Sequence, residues 1–148
     1  MARTLHRDDD TPLVDLETIA KKMRALDICA LTTVTEGGAL ASRPMSNNGD
    51  VAYDGNSWYF TNEETRLVAD IEAHPKVSLA FEGMDGLHIA VSGKANLVRD
   101  KDSFEAHWVP DLDNWFEQGI DTPGLVLIQV VADHVKFWMG EESGEWRG

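Results

Sequence analysis

Ile28-Cys29-Ala30-Leu31-Thr32-Thr33-Val34-Thr35-Glu36-Gly37-Gly38-Ala39-Leu40-Ala41-Ser42-Arg43-Pro44-Met45 contains two strands and a tight turn. Residues 28–34 are rich in strand formers. Glu36-Gly37-Gly38 supplies a turn whose glycines tolerate positive φ. A second strand follows over 39–45. A link this short joins antiparallel neighbours, so the pair is a β-hairpin.

Outward from the hairpin the same economy recurs. Upstream, residues 13–26 place Leu16, Ile19, Ala20, Met23 and Leu26 at helical spacing. Asp15 is the candidate cap of that helix. Residues 1–12 are polar, charged and end at Pro12, and they read as a flexible arm before one domain over 13–148. Downstream, Asn47-Asn48-Gly49-Asp50 is a loop and Asp54-Gly55-Asn56 a tight turn. A short strand is expected at 51–53 and a stronger one at 57–61. Residues 62–73 carry Leu67, Val68 and Ile71 on one face, a second helix ended by His74-Pro75. Strands follow at 76–81 and 87–98, with Gly93 marking a bulge in the second. A third helix is expected over 101–117, broken or bent at Pro110. Residues 125–131 and 135–139 form a long final strand, kinked near Ala132-Asp133. Most links are short, so the fold class is mainly β (α+β). It is a six- to seven-stranded antiparallel split β-barrel with flanking helices. Strands and helices do not alternate, which excludes a doubly wound parallel sheet.

The 148 residues make one ordinary domain, and the 26 acidic against 13 basic side chains leave a net charge of −13. That balance argues against a nucleic-acid partner, which needs clustered positive charge, and against docking on anionic membranes. A nucleotide cofactor needs only a few local donors. Cys29 is the single cysteine, so neither an internal disulfide nor a cysteine zinc cluster can form. The start of the chain has no apolar leader segment, and no apolar run reaches the ~20 residues of a spanning helix. A cytoplasmic protein is expected.

No phosphate-loop, dinucleotide, zincin or serine-hydrolase motif is present. The five histidines share no metal-ligand spacing, and Asp8, Asp9 and Asp10 read as a solvated tail, so no metal is expected. Cys29 reads as a core residue. Two segments stand out. In Ser42-Arg43-Pro44-Met45 the proline removes a ladder donor, so the strand is at an edge or leaves the sheet. A guanidinium beside freed backbone groups suits an anionic or heteroaromatic ligand, and equally describes a surface arginine on an edge strand. In Trp58-Tyr59-Phe60-Thr61-Asn62-Glu63-Glu64-Thr65-Arg66 a strand runs into a helix start bearing hydroxyls and a cation. Free N–H groups there suit a phosphate, and plain capping by Thr61 or Asn62 is the alternative. Glu63 and Glu64 oppose a phosphate unless they point outwards. Trp108, Trp115 and Phe116 read as core or dimer interface, and Trp138 is placed to line a pocket for a flat ligand. No residue marks itself as a proton donor, so catalytic residues stay unassigned.

These segments, with Val68-Ala69-Asp70-Ile71, His74-Pro75-Lys76-Val77, Val91-Ser92-Gly93-Lys94-Ala95, Trp108-Val109-Pro110 and Phe137-Trp138, occur in a characteristic order. In that order the chain resembles the general stress protein branch of the pyridoxamine 5′-phosphate oxidase-like superfamily of FMN-binding split barrels. The resemblance runs from about Leu16 to Trp138. It implies a homodimer with two flavin sites at its interface and FMN, or FAD, as cofactor. Arg43, Pro44 and Met45 would run beside the flavin and its ribityl chain. Phe60 and Thr61 would contact ring and chain, and Thr65 and Arg66 would hold the phosphate. His88 stands where the oxidases have a glutamine near the flavin, and Trp138 would approach the ring from the other subunit.

The departures shape the expected function. The oxidases follow the Arg66 position with a phosphate-binding lysine, and here it is Leu67. Their Tyr, Arg and Ser for pyridoxal phosphate fall on Ala106, Pro110 and Asn114. Their Arg-Leu-Ala-Pro ending is replaced by Gly144-Glu145-Trp146-Arg147-Gly148. The vitamin oxidase reaction is therefore not expected. The expectation is an FMN-binding general stress-type protein, a flavin-dependent oxidoreductase of an unknown small molecule. The alternatives are a non-enzymatic flavin-binding or sensing module, or a barrel using FAD or a deazaflavin.

Overall fold

The run of strand formers over 28–34 becomes strand β1 (Ile28–Val34), with Cys29, Leu31 and Thr33 turned inward and buried. It lies second across the sheet in a computed structural model that describes residues 11–24, 26–47 and 52–148. The expected hairpin is there: β1 pairs antiparallel with β2 (Leu40–Ser46), Ile28 opposite Ser46 and Val34 opposite Leu40. Gly37 and Gly38 take φ of 80° and 84° in the turn, the left-handed region where glycine avoids a steric penalty.

The remaining elements follow in chain order. Helix α1 (Leu16–Met23) precedes the hairpin and is capped by Asp15, whose carboxylate accepts from the Thr18 N–H at 2.9 Å. After it come β3 (Asn56–Asn62), α2 (Arg66–Ala73), β4 (Lys76–Glu82) and β5 (Leu87–Val98). Then come α3 (Lys101–His107), β6 (Leu125–Met139) and β7 (Glu142–Arg147). The sheet order is β2-β1-β4-β5-β6-β3, with β7 added on β6, and every ladder between strands is antiparallel. This is the split barrel.

The seventh strand is not the one expected. Of the short strand at 51–53, Val51 lies outside the described residues, and Ala52 and Tyr53 are not strand. The count is completed by β7 instead. Residues 1–10 of the expected arm lie outside the described residues too. Pro12 accepts from the Glu145 N–H at 2.9 Å, and Leu13 bridges Glu145. The third helix also differs. It stops at His107, Val109 is extended ahead of Pro110, and a separate 3-10 turn covers Pro110–Asn114. Proline disfavours helix in the residue before it, so of the two outcomes expected at Pro110 the break is the one found. The long final strand is continuous. Its register with β5 shifts between Ser92 and Gly93, leaving Asp133 as the extra residue. That places the bulge at the expected glycine and the expected kink.

Two apolar clusters hold the fold. Inside the barrel, Leu31, Tyr59, Leu79, Phe81, Ile89, Val91 and Phe137 pack with Ile19 and Met23 of α1 and Leu67 and Ile71 of α2. A second cluster, Phe104, Leu125 and Leu127 with Trp58, Phe60, Trp108 and Phe116, lies under α3. No helix among the described residues is long and apolar enough to cross a membrane.

Candidate functional site

β2 and β3 are the two ends of the sheet path. Between them lies a cavity of about 490 Å³, with Pro44 and Met45 on one wall, Tyr59 and Phe60 on the other, and Asp111, Trp115 and Phe116 over it. Phe60 is fixed from behind, edge-on to Trp108 at 5.0 Å and Phe104 at 5.9 Å between ring centroids. Trp115 is 78% exposed, so of the two readings for this tryptophan the core is ruled out. The cavity suits a flat, partly apolar ligand.

β3 carries on from this cavity to a second one of about 690 Å³ around the start of α2, lined by Thr35, Thr65, Arg66 and Asp70 among others. The helix begins at Arg66, later than expected, because the preceding residues form a turn. The Glu64 N–H donates to Asn62 Oδ1 at 3.0 Å, and the Thr65 hydroxyl donates to the Asn62 carbonyl at 2.9 Å. Thr65 is then the cap, accepting from the Val68 N–H at 3.4 Å. Thr61 and Thr65 hydroxyl oxygens are 3.3 Å apart, so the two lie side by side. Arg66 is exposed and Leu67 is buried in the barrel core. The lysine position of the oxidases thus faces inward here and is used for packing. Glu63 is drawn to Arg99, which also binds Glu72 at 2.8 Å. The hydrogen bond from Arg99 holds the Glu63 carboxyl below its ordinary range, and the same pairing offsets its charge near the helix start.

Arg43 does not face outward with its neighbours. Ser42 and Pro44 are exposed on the outer face, whereas the Arg43 side chain reaches Asp70 of α2, Nη2 to Oδ2 at 3.5 Å. Met45 stands opposite Cys29. His88 and Trp138 are direct cross-strand partners on β5 and β6. Three strand steps separate β2 from β5, on the order of 14 Å at the usual spacing. β6 neighbours β3, but Phe60 stands opposite Leu127, eleven residues along β6 from Trp138, so within one chain these two residues are not gathered with the others. His88 lies 3.6 Å from Glu82, and Trp138 lies beneath the Lys136 ammonium, 5.2 Å from the ring centroid.

Three residues at the site escaped the sequence reading. Asp70, Tyr59 and Asn47 all sit in segments quoted above, but their partners are remote in sequence. A signal existed for Asp70: it falls between Leu67 and Ile71 on the apolar stripe of α2, where a carboxylate needs a reason. Tyr59 donates to Asn47 Oδ1 at 2.9 Å and lies 3.3 Å from the Cys29 sulfur. Its one proton is used on Asn47, so the thiol is the donor of the second contact. Burial pushes the Cys29 thiol up to about 11 and the Tyr59 hydroxyl well above its ordinary value. Both are neutral at pH 7, and neither is a thiolate or phenolate base. Because the folded thiol titrates higher than a free one, its stabilising contribution is complete below about pH 9 and lost as pH rises through about 11. Native protein is expected to leave Cys29 unreacted with a disulfide reagent at pH 8, and unfolding in guanidinium to release one thiol per chain. Rapid reaction of the folded protein would contradict this.

The chain from residue 15 to 145 matches the model of the family described as pyridoxamine 5′-phosphate oxidase like. The chain belongs to that family. Solved structures agree with the fold. A Clostridium acetobutylicum protein related to general stress protein 26 of Bacillus subtilis superposes with a TM-score of 0.77 at 19% identity, covering 90% of this chain and 96% of its own. General stress protein 26 of Bacillus anthracis gives 0.70 at 20% identity, covering 88% and 98%. A general stress FMN/FAD binding protein of Xanthomonas citri gives 0.71 at 26% identity, covering 85% and 89%. No curated protein shows significant similarity to this oxidase-like chain.

Proposed function

We propose that this protein binds a flavin nucleotide, FMN before FAD, and serves as a flavin-dependent oxidoreductase of a small molecule. The observation that carries the reading is the Thr61–Thr65 hydroxyl pair at 3.3 Å. It joins an aromatic-lined cavity to a helix start that bears Arg66, the order in which a ring, a polyol chain and a phosphate follow one another. Pro44, Met45 and Phe60 would border the ring, Thr61 the chain, and Thr65 with Arg66 the phosphate. The helix start adds free N–H groups and the positive end of its dipole. The Xanthomonas citri relative, described as FMN/FAD binding, supports the same class of ligand. When bound, a flavin supplies hydride and electron transfer, and the protein supplies binding, orientation and electrostatics.

A homodimer belongs to this proposal. Ile28 is 56% and Leu40 73% exposed at the ends of β1 and β2, and a second copy over this face would cover them and contribute His88 and Trp138. A cytoplasmic location belongs to it too, resting on the single cysteine and the acidic composition.

One observation favours a non-enzymatic flavin binder as the second reading. The thiol and phenol nearest the cavity are both held neutral by burial, so neither is a proton donor poised near pH 7.

The test is a visible absorption spectrum of purified protein before and after adding FMN, followed by gel filtration. A shifted flavin spectrum that travels with the protein supports the binding. Absence of retained flavin at high FMN and at high FAD removes it. Extraction of the chromophore separates FMN from FAD and from a deazaflavin. Catalytic oxidation of NADH or NADPH separates the oxidoreductase from the binder.

A further inference from the structure

Trp115 stands at the rim of the aromatic-lined cavity and is 78% exposed, the one exposed Trp, Tyr or Phe among the described residues. A single exposed apolar side chain is ordinary. What sets this one apart is how it is held. The Leu112 carbonyl accepts from the Trp115 and Phe116 N–H groups, each at 3.0 Å. Leu112 is buried, and Phe116 packs edge-on against Trp108 at 5.9 Å between centroids. The turn is thus anchored on both sides of Trp115. The indole itself makes no hydrogen bond or ring contact among the described residues.

The cavity beneath the indole narrows what can meet it. The charged residues that line this cavity are Asp27 and Asp111, with no Lys, Arg or His beside them. Two carboxylates disfavour an anion, so the phosphate end of a ligand stays out and an uncharged end enters. The far wall is Phe60, fixed from behind by Trp108 and Phe104, so the cavity keeps its shape. The side of Trp115 is open. A planar ring in the cavity would leave one face toward water there, and the unpaired indole is the group placed to cover it. Stacking the two rings takes both apolar faces out of water. The turn is already ordered, so contact costs only the rotamers of one side chain.

We propose that Trp115 is a further ligand-binding residue of the flavin site, stacking on the outer face of the ring and setting a preference for planar ligands. The proposal rests on the flavin reading above. It gives the exposed indole a role within one chain, in place of the dimer interface expected from the sequence. The contact is with the ring, so it is blind to the phosphate.

Two measurements test this, with FMN and riboflavin as the probes. Hydroxyl-radical footprinting of the parent protein reads Trp115 itself and needs no variant, with the 85% exposed Met84 as internal reference. Trp115 is expected to oxidise readily without flavin and about threefold more slowly, relative to Met84, with saturating FMN, as a stacked ring is shielded on one face. Protection already complete without FMN places Trp115 in an interface between copies, and oxidation unchanged by FMN places it outside the site. Either result overturns the proposal. Flavin fluorescence then gives Kd. Trp115→Ala is expected to raise the Kd for FMN and for riboflavin alike by about tenfold, the scale of losing one stacked ring. Trp115→Phe keeps a ring and is expected to raise both by less than about threefold. The melting temperature without flavin should not move, since the indole supports no core. Unchanged affinity in Trp115→Ala, or a loss for FMN alone, overturns the role of Trp115. Absence of FMN binding by the parent protein overturns the flavin reading and this role together, whereas FMN binding without protection of Trp115 overturns this role alone.

Discussion

Gly93→Ala is expected to lower stability by about 3 kcal/mol, roughly 6–12 °C in Tm for a chain of this size. A Cβ on Gly93 would stand 2.1 Å from the Val131 carbonyl oxygen and 2.9 Å from its carbon. Both are backbone atoms in the partner strand, so no rotamer change relieves the clash. The register shift between β5 and β6 sits at this residue. Relief requires moving the ladder that joins the halves of the sheet. Urea or thermal unfolding of the flavin-free protein reads the loss directly. A change under about 1 kcal/mol would mean the bulge absorbs a methyl group, contrary to the geometry.

Arg66→Ala is expected to raise the Kd for FMN about thirtyfold and to leave the Kd for riboflavin, which has no phosphate, unchanged. A charge-assisted hydrogen bond of about 2 kcal/mol sets the size of that effect. Arg66 is exposed and Leu67 beside it is buried, so the cation at the helix start is separable from the core. The melting temperature without flavin should stay where it is. Equal weakening of FMN and riboflavin would show that Arg66 does not meet the phosphate. Unchanged affinity for both would remove it from the site.

The fold was legible wherever a run of strand formers met a glycine. The hairpin around Gly37-Gly38 and the bulge at Gly93 are of this kind: the first pair takes a left-handed backbone, and the second leaves no room for a Cβ beside the Val131 carbonyl. β7 was not legible. Glu142, Ser143, Gly144, Glu145, Trp146 and Arg147 carry no apolar alternation, and they are a strand because β6 offers them an edge. The third helix was overextended because Asp111, Asp113 and Asn114 suit a helix start as well as a 3-10 turn. At the candidate site, the run from Phe60 to Arg66 was legible because strand, turn and helix are consecutive. The destination of Arg43 was not. A half-buried arginine goes where its counter-charge is, and Asp70 is set by the packing of α2 on the sheet.

The strand order has a consequence for association between molecules. β2 and β3 end the path, and no ladder joins them among the described residues, so their facing backbone groups form two open borders of the sheet. Open borders recruit strands from other chains and seed aggregation. The cavity between Met45 and Phe60 lies along this gap, and whatever fills it stands where a further strand would otherwise add. An occupant of the cavity is then a plug as well as a ligand. It keeps the barrel from being extended by a neighbour, and slower aggregation of loaded than of empty protein follows from the topology before any chemistry is considered.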